Sequence, residues 1–196
     1  MFSELQVSRI PSSKIKIYEI NHFLTELECL KIIELINLEK VYRKKDCSNS
    51  KETIYLYDKH ISNEFYNYLN NKIHSILEIP LEFGEVIQAQ HYSINDSIDY
   101  HYDFFNPLLE DEKKQLVKSG QRTWTFLIYL NNVLKGGETH FIEENLLVKP
   151  EIGKAILWKN LDNGEPNYST KHSGLPVIEG EKYIITKWFR EKPIIY

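Results

Sequence analysis

The hexapeptide Tyr100-His101-Tyr102-Asp103-Phe104-Phe105 sets an imidazole and a carboxylate two positions apart among aromatic residues. On an extended strand residues i and i+2 share a face, so His101 and Asp103 can converge on one point. An imidazole beside a carboxylate is a donor set for a divalent metal, and such a site needs a further ligand from elsewhere in the chain. By itself the pair is equally an aromatic strand that carries two polar residues.

Six other histidines are candidates for that ligand. His22 falls in an N-terminal loop, and His60 and His74 flank or ride a predicted helix. His91 precedes Tyr92 on an earlier strand, and His140 follows a Gly-Gly turn. His172 enters the penultimate strand, and ten positions later comes Lys182, followed by Ile184, Thr186 and Trp188 on the same strand face. A lysine turned inward is costly unless an anion pairs with it. Two histidines and one carboxylate with open positions opposite are the ligand set of non-haem Fe(II) oxygenases. A cationic anchor beside them would suit a carboxylate cosubstrate. Spacing leaves open whether Lys182 points inward or to solvent.

The elements that must position these groups change in texture at Pro80. Residues 15–20 alternate as a half-buried strand. Thr25-Glu26-Leu27-Glu28 is a capping box that opens a helix, with Leu27, Leu30, Ile33 and Ile36 as its expected apolar stripe. A second helix is predicted over 62–78, with Phe65, Leu69, Ile73 and Ile76 on one side and Pro80 as its stop. Beyond it, short β-branched and aromatic segments recur at 83–92, 98–104, 122–131, 137–142, 146–150, 153–159, 171–178 and 181–190. That spacing predicts a sandwich or barrel. In 122–131, Trp124, Phe126, Ile128 and Leu130 share one face, and Thr125, Leu127 and Tyr129 the other. The charged stretch 106–120 interrupts the series with room for one helical turn.

At 196 residues the chain suffices for a single domain, 1–196, with residues 1–80 supporting a β core over 81–192. Aromatics at 13% favour a sheet-rich architecture. A net charge of -4 argues against a nucleic-acid partner held through a basic footprint. The N-terminus lacks the apolar segment of a secretory signal and no run is long enough for a membrane span, so the expectation is a cytoplasmic chain with no membrane partner. Cys29 and Cys47 have no metal-knuckle spacing and read as free thiols.

Several blocks at consistent spacing resemble the prolyl 4-hydroxylase family of the Fe(II)/2-oxoglutarate-dependent dioxygenases. They are Tyr92, His101-Tyr-Asp-Phe-Phe105, Gly120-Gln-Arg122-Thr, Tyr129-Leu-Asn-Asn-Val133, Gly136-Gly-Glu-Thr139-His-Phe141, Gly164 to Val177, and Gly180 to Glu191. The resemblance spans roughly 83–191. It implies an α+β, mainly β fold, a double-stranded β-helix (jelly-roll, cupin-type) barrel with packed N-terminal helices. It implies that His101, Asp103 and His172 hold Fe(II), that Lys182 pairs with the distal carboxylate of 2-oxoglutarate, and that Tyr92, Tyr129 and Thr139 help to hold that cosubstrate. Arg122 and Trp188 match positions at the active-site mouth that would position substrate. The implied reaction takes 2-oxoglutarate and O2, with ascorbate as an accessory reductant, and hydroxylates a proline-containing peptide or protein. Related halogenases carry a small residue in place of the carboxylate, so Asp103 favours hydroxylation.

The chain departs from the family pattern on the substrate side. Ile98 stands where a tyrosine is usual, Arg190 where a histidine is usual, and Asp46–Ser50 lacks the arginine of a peptide-contacting loop. A free amino acid or other small molecule is therefore an alternative substrate, and a non-catalytic binding barrel is a second alternative.

Overall fold

The structure, a computed structural model, describes residues 5–40, 52–56 and 63–194. Asp46–Ser50, Cys47 and His60 lie outside them. Among the described residues there are three α-helices, α1 (Glu26–Lys40), α2 (Asn63–Leu77) and α3 (Glu110–Ser119). The strands are β1 (Val7–Arg9), β2 (Ile17–Ile20), β3 (Glu52–Leu56), β4 (Ile87–Tyr92), β5 (Ile98–His101), β6 (Arg122–Tyr129), β7 (Lys135–Gly136) and β8 (Thr139–Phe141). They continue with β9 (Leu146–Val148), β10 (Ala155–Lys159), β11 (Leu161–Asp162), β12 (Glu165–Pro166), β13 (His172–Gly174), β14 (Val177–Glu179) and β15 (Lys182–Arg190).

The larger sheet has the order β1-β2-β10-β6-β15-β4-β3 and the smaller β5-β13-β8-β9, with β14–β7 and β11–β12 as short separate ladders. This is the expected double-stranded β-helix arrangement; among the described residues no ladder joins the two sheets into a closed barrel.

Strand β6 shows why two cores form. Its alternation sends Phe126 and Ile128 to a core shared with α1 and α2, while Leu127 and Tyr129 join Phe141, Val148 and Trp158 in a second core that unites both sheets. The faces expected from the sequence are those observed. Helix α2 also buries its expected side, with Leu69 and Ile73 fully inside and Phe65 and Ile76 packed against them.

Helix α1 differs from expectation. The Thr25–Glu28 capping box is present, with Thr25 N donating to Glu28 Oε2 at 2.7 Å. Yet Cys29, Ile32 and Ile36 are buried, whereas Leu27 and Leu30 are exposed. The chain enters with Phe23 and Leu24 inside, and Leu24 N donates to Gly153 O at 3.1 Å. That anchor rotates the helix away from the stripe its leucines suggested. Gly153 has φ +76, and a Cβ there would lie 2.1 Å from Leu24 O, so only glycine admits this approach.

The charged excursion holds more than a turn. Helix α3 runs ten residues, with Glu110, Asp111 and Glu112 at its positive N-terminal end. Among the described residues no helix is long and apolar enough to cross a membrane.

Candidate active site

His101 ends β5 and lies directly opposite His172, the first residue of β13. Their rings are 4.4 Å apart. The expected strand over 98–104 stops at 101, so Asp103 reaches the same point through a bend after the strand and not through strand alternation. His101 Nε2 is 3.7 Å from Asp103 Oδ1, and His172 Nε2 is 3.8 Å from Asp103 Oδ2. One ligand atom from each of the three lies within 4.8 Å of the others.

Both imidazoles are aimed by their own backbone. His101 Nδ1 lies 2.8 Å from Asp99 O, and His172 Nδ1 lies 2.9 Å from Thr170 O. A carbonyl only accepts, so each Nδ1 donates and each Nε2 turns a lone pair toward Asp103. This is the outer arrangement that metal-binding histidines use, and the donor set fits a divalent metal such as Fe(II). Burial drives the His172 imidazole down to about 4, so it stays neutral at pH 7. Burial opposes ionisation of Asp103, but the neighbouring imidazoles in their protonated forms and the Arg122 guanidinium outweigh it and hold this carboxyl below its usual range. Thr125 Oγ1 adds a hydrogen bond to Asp103 Oδ2 at 2.6 Å.

A cavity of about 200 Å³ opens beside the three residues, walled in part by Tyr92, Thr139, Lys182, Arg122 and Trp188. Lys182 points inward. It is 2% exposed, and its Nζ lies 5.1 Å from the Tyr92 ring centre and 5.9 Å from that of Tyr129. Register explains the grouping: Lys182 pairs with Tyr92 on β4, and Ile184 pairs with Tyr129 on β6. Tyr129 lies behind the wall and donates to Thr139 Oγ1 at 2.7 Å, which leaves the Thr139 proton available to the cavity.

Arg122 combines an ion pair with a place in the wall. Its Nε and Nη2 donate to Glu85 Oε1 and Oε2 at 2.8 and 2.7 Å, a fork on a carboxylate. The guanidinium also sits 4.0 Å from the Trp188 ring centre and 4.8 Å from that of Phe105. Phe105 is further flanked by Arg190 at 4.6 Å. Outside the site, His140 meets the Tyr100 hydroxyl at 2.6 Å, His74 meets Ile79 O at 2.7 Å, and His91 lies 3.5 Å from Glu181.

Several residues of the site carried no separate signal in the sequence. Gln88 and Gln90 share the Tyr92 face of β4 and line the cavity, which strand alternation back from Tyr92 would have found. Glu85 and Asn160 sit at strand flanks, where no periodicity marks them.

Residues 87–190 match the 2OG-Fe(II) oxygenase superfamily. A probable prolyl 4-hydroxylase 4 of Arabidopsis thaliana is 33% identical over 210 residues, covering 90% of this chain and 68% of that protein. Prolyl 4-hydroxylase subunit alpha-1 of Bos taurus is 34% identical over 125 residues, covering 63% of this chain and 23% of that subunit. Among solved structures, the viral collagen prolyl hydroxylase of Paramecium Bursaria Chlorella virus-1, in complex with 2OG, gives a TM-score of 0.72 at 24% identity, covering 92% of this chain and 96% of that one. A prolyl hydroxylase in complex with a hypoxia inducible factor peptide fragment, from Trichoplax adhaerens, gives 0.65 at 16% identity, covering 89% and 83%.

Proposed function

Because the chain belongs to the prolyl 4-hydroxylase family of the 2OG-Fe(II) oxygenase superfamily, we propose that it hydroxylates prolyl residues in a peptide or protein at the cavity beside His101, Asp103 and His172. It is a 2-oxoglutarate-dependent dioxygenase, with Fe(II) as cofactor and 2-oxoglutarate and O2 as cosubstrates. The observation that carries the site assignment is the meeting of that triad with an inward Lys182 in one cavity.

His101, Asp103 and His172 would hold the metal from one side, through two imidazole nitrogens and one carboxylate. When bound, Fe(II) supplies the O2 chemistry that couples decarboxylation of 2-oxoglutarate, to succinate and CO2, with insertion of oxygen into a substrate C–H bond. The Lys182 ammonium would pair with the distal carboxylate of 2-oxoglutarate, a charge-assisted contact in a dry setting. The Thr139 hydroxyl, oriented by Tyr129, would donate to the same carboxylate. Tyr92 covers the ammonium with its ring and helps to exclude water.

At the mouth, Arg122 and Trp188 would position the substrate, the guanidinium being held flat by Glu85 and the flanking rings. An aromatic cluster that reaches the same cavity through Tyr102 supports the peptide reading. Tyr102 and Phe104 stack at 4.7 Å, and Tyr168, 65% exposed, meets both edge-on at 5.6 and 5.4 Å. Flat aromatic rings are what grooves for proline-rich extended peptides present. The net charge of -4 favours such a partner over a nucleic acid.

Succinate formation, followed with proline-rich peptides and with free proline, tests the reading. Peptide-dependent succinate with hydroxyproline in the product is expected. Turnover on free proline without any peptide would move the assignment to a small-molecule substrate.

A further inference from the structure

We infer that Thr125 and Asn160 are positioning residues for Asp103: a one-way hydrogen-bond chain that engages Oδ2 and presents the carboxylate to the metal through its other oxygen. The inference rests on the metal-site reading above. Thr125 lies on β6 and Asn160 directly after β10, and both are fully buried. Asn160 Nδ2 donates to Thr125 Oγ1 at 2.9 Å, and Thr125 Oγ1 donates to Asp103 Oδ2 at 2.6 Å.

The direction of the chain follows from proton count. A threonine hydroxyl has one proton to give. An oxygen–oxygen approach of 2.6 Å needs a proton between the two atoms, and the carboxylate has none to offer. If the Asn160 amide were turned round, its carbonyl would compete for that one proton. The amide nitrogen must therefore face Thr125. Its carbonyl, Asn160 Oδ1, is buried without a hydrogen-bond partner among the described residues, so the side-chain hydrogen bond that orients the amide is the one from Nδ2 to Thr125.

The backbone of Asn160 ties the same residue to the second histidine. Asn160 N donates to Thr123 O at 2.9 Å, and Asn167 N donates to Asn160 O at 2.9 Å. The Asn167 side chain accepts from Ser169 N at 3.0 Å and so caps the short turn whose Thr170 carbonyl receives His172 Nδ1. Asn160 thus braces the partner of Asp103 and the approach to His172 together.

A strong hydrogen bond on Oδ2 disfavours a carboxylate that grips the metal with both oxygens. One-oxygen ligation keeps positions free for the cosubstrate and O2. Changes to such outer partners typically cost about 10–100-fold in metal affinity.

The test uses Co(II) as the probe, because its d–d absorption reports both affinity and coordination number. Thr125→Val, nearly equal in shape, is expected to weaken Co(II) binding by about 10–100-fold and to change band intensity, with Thr125→Ser restoring both. Asn160→Asp keeps the size but only accepts, so it should capture the Thr125 proton and reproduce the loss. Circular dichroism and thermal unfolding of the metal-free variants check folding, and should Thr125→Val fail there, Asn160→Asp and Thr125→Ser decide. Wild-type affinity and spectrum in a folded Thr125→Val, or in Asn160→Asp, would overturn the positioning role. Absence of Co(II) binding in the unaltered protein would instead overturn the metal-site reading itself.

Discussion

The ammonium of Lys182 and the backbone of Gly174 meet at the inner end of the cavity, where single atoms decide what fits. Lys182→Ala removes the proposed partner of the cosubstrate carboxylate. Truncating one member of a buried charge pair costs about 2–5 kcal/mol, so the KM for 2-oxoglutarate should rise roughly 30-fold or more, with the peptide KM little changed. Steady-state kinetics at saturating peptide measures this, and an unchanged KM would assign the role to another cation. Gly174→Ala probes the same place from the opposite strand. Its Cβ would lie 3.0 Å from Ile98 Cγ2 and 3.4 Å from Lys182 Nζ. Overpacking of this kind costs about 1–3 kcal/mol. A raised 2-oxoglutarate KM without loss of fold is expected, and the same assay reads it.

Strand β15 joins the site to the rest of the fold by sending alternate residues to opposite faces. Lys182, Ile184, Thr186 and Trp188 line the cavity, while Tyr183, Ile185 and Phe189 enter the helix-side core. Lys187 shares that second face, and its Nζ donates to Asn70 Oδ1 on α2 at 2.7 Å and to Glu85 O at 2.8 Å. Burial pushes the Lys187 ammonium down to about 8, against a partial offset from the Glu85 charge. The unfolded chain keeps this proton to about 10.5, so between pH 8 and 10 the unfolded state binds more protons and stability rises with pH. The rise is on the order of 3 kcal/mol at most. The buried Cys29 thiol, pushed up to about 11, acts in the opposite direction over this range. The difference between wild type and Lys187→Met in urea unfolding at pH 7.5, 9 and 10 therefore isolates the rise; no growth of that difference with pH would refute it. At the end of the strand, Arg190 donates to Gly120 O at 2.7 Å and to Gln115 O at 2.6 Å, which fastens the last turn of α3. Arg190→Ala should cost about 2 kcal/mol, as hydrogen bonds of a charged donor do. It should also lower hydrogen-exchange protection across 110–120; full protection there would show that α3 is held by other contacts.

For the molecule as a whole, the proposed metal site would act as a cross-link between parts of the smaller sheet and the bend after β5. At the proposed site Fe(II) would bind only where His101, Asp103 and His172 are brought together, and would therefore add to folding stability by mass action. At a free-metal concentration of about 100 times Kd the gain is about 2.7 kcal/mol. For a chain of this length that corresponds to a rise in Tm of roughly 5–10 °C. Thermal unfolding with Fe(II) under anaerobic conditions, and again after chelation, measures it; an unchanged Tm in a protein that binds the metal would place the site in a region that unfolds locally first.

The types and spacing of His101, Asp103, His172 and Lys182 were readable in the sequence because those residues are chemically distinctive and recur at the intervals of a known family. The two faces of β6 were readable too, since strand alternation is a local rule. The tertiary structure alone decided what depends on long-range contacts. It rotated α1 through the Leu24–Gly153 anchor, brought Asp103 to the histidines by a bend after the strand, and paired Arg122 with Glu85. It also placed the buried Asn160–Thr125 chain behind the carboxylate. Asparagine and threonine are common residues without a spacing signature, and only the antiparallel pairing of β6 with β10 and the bend after β5 give these two their direction and their partner.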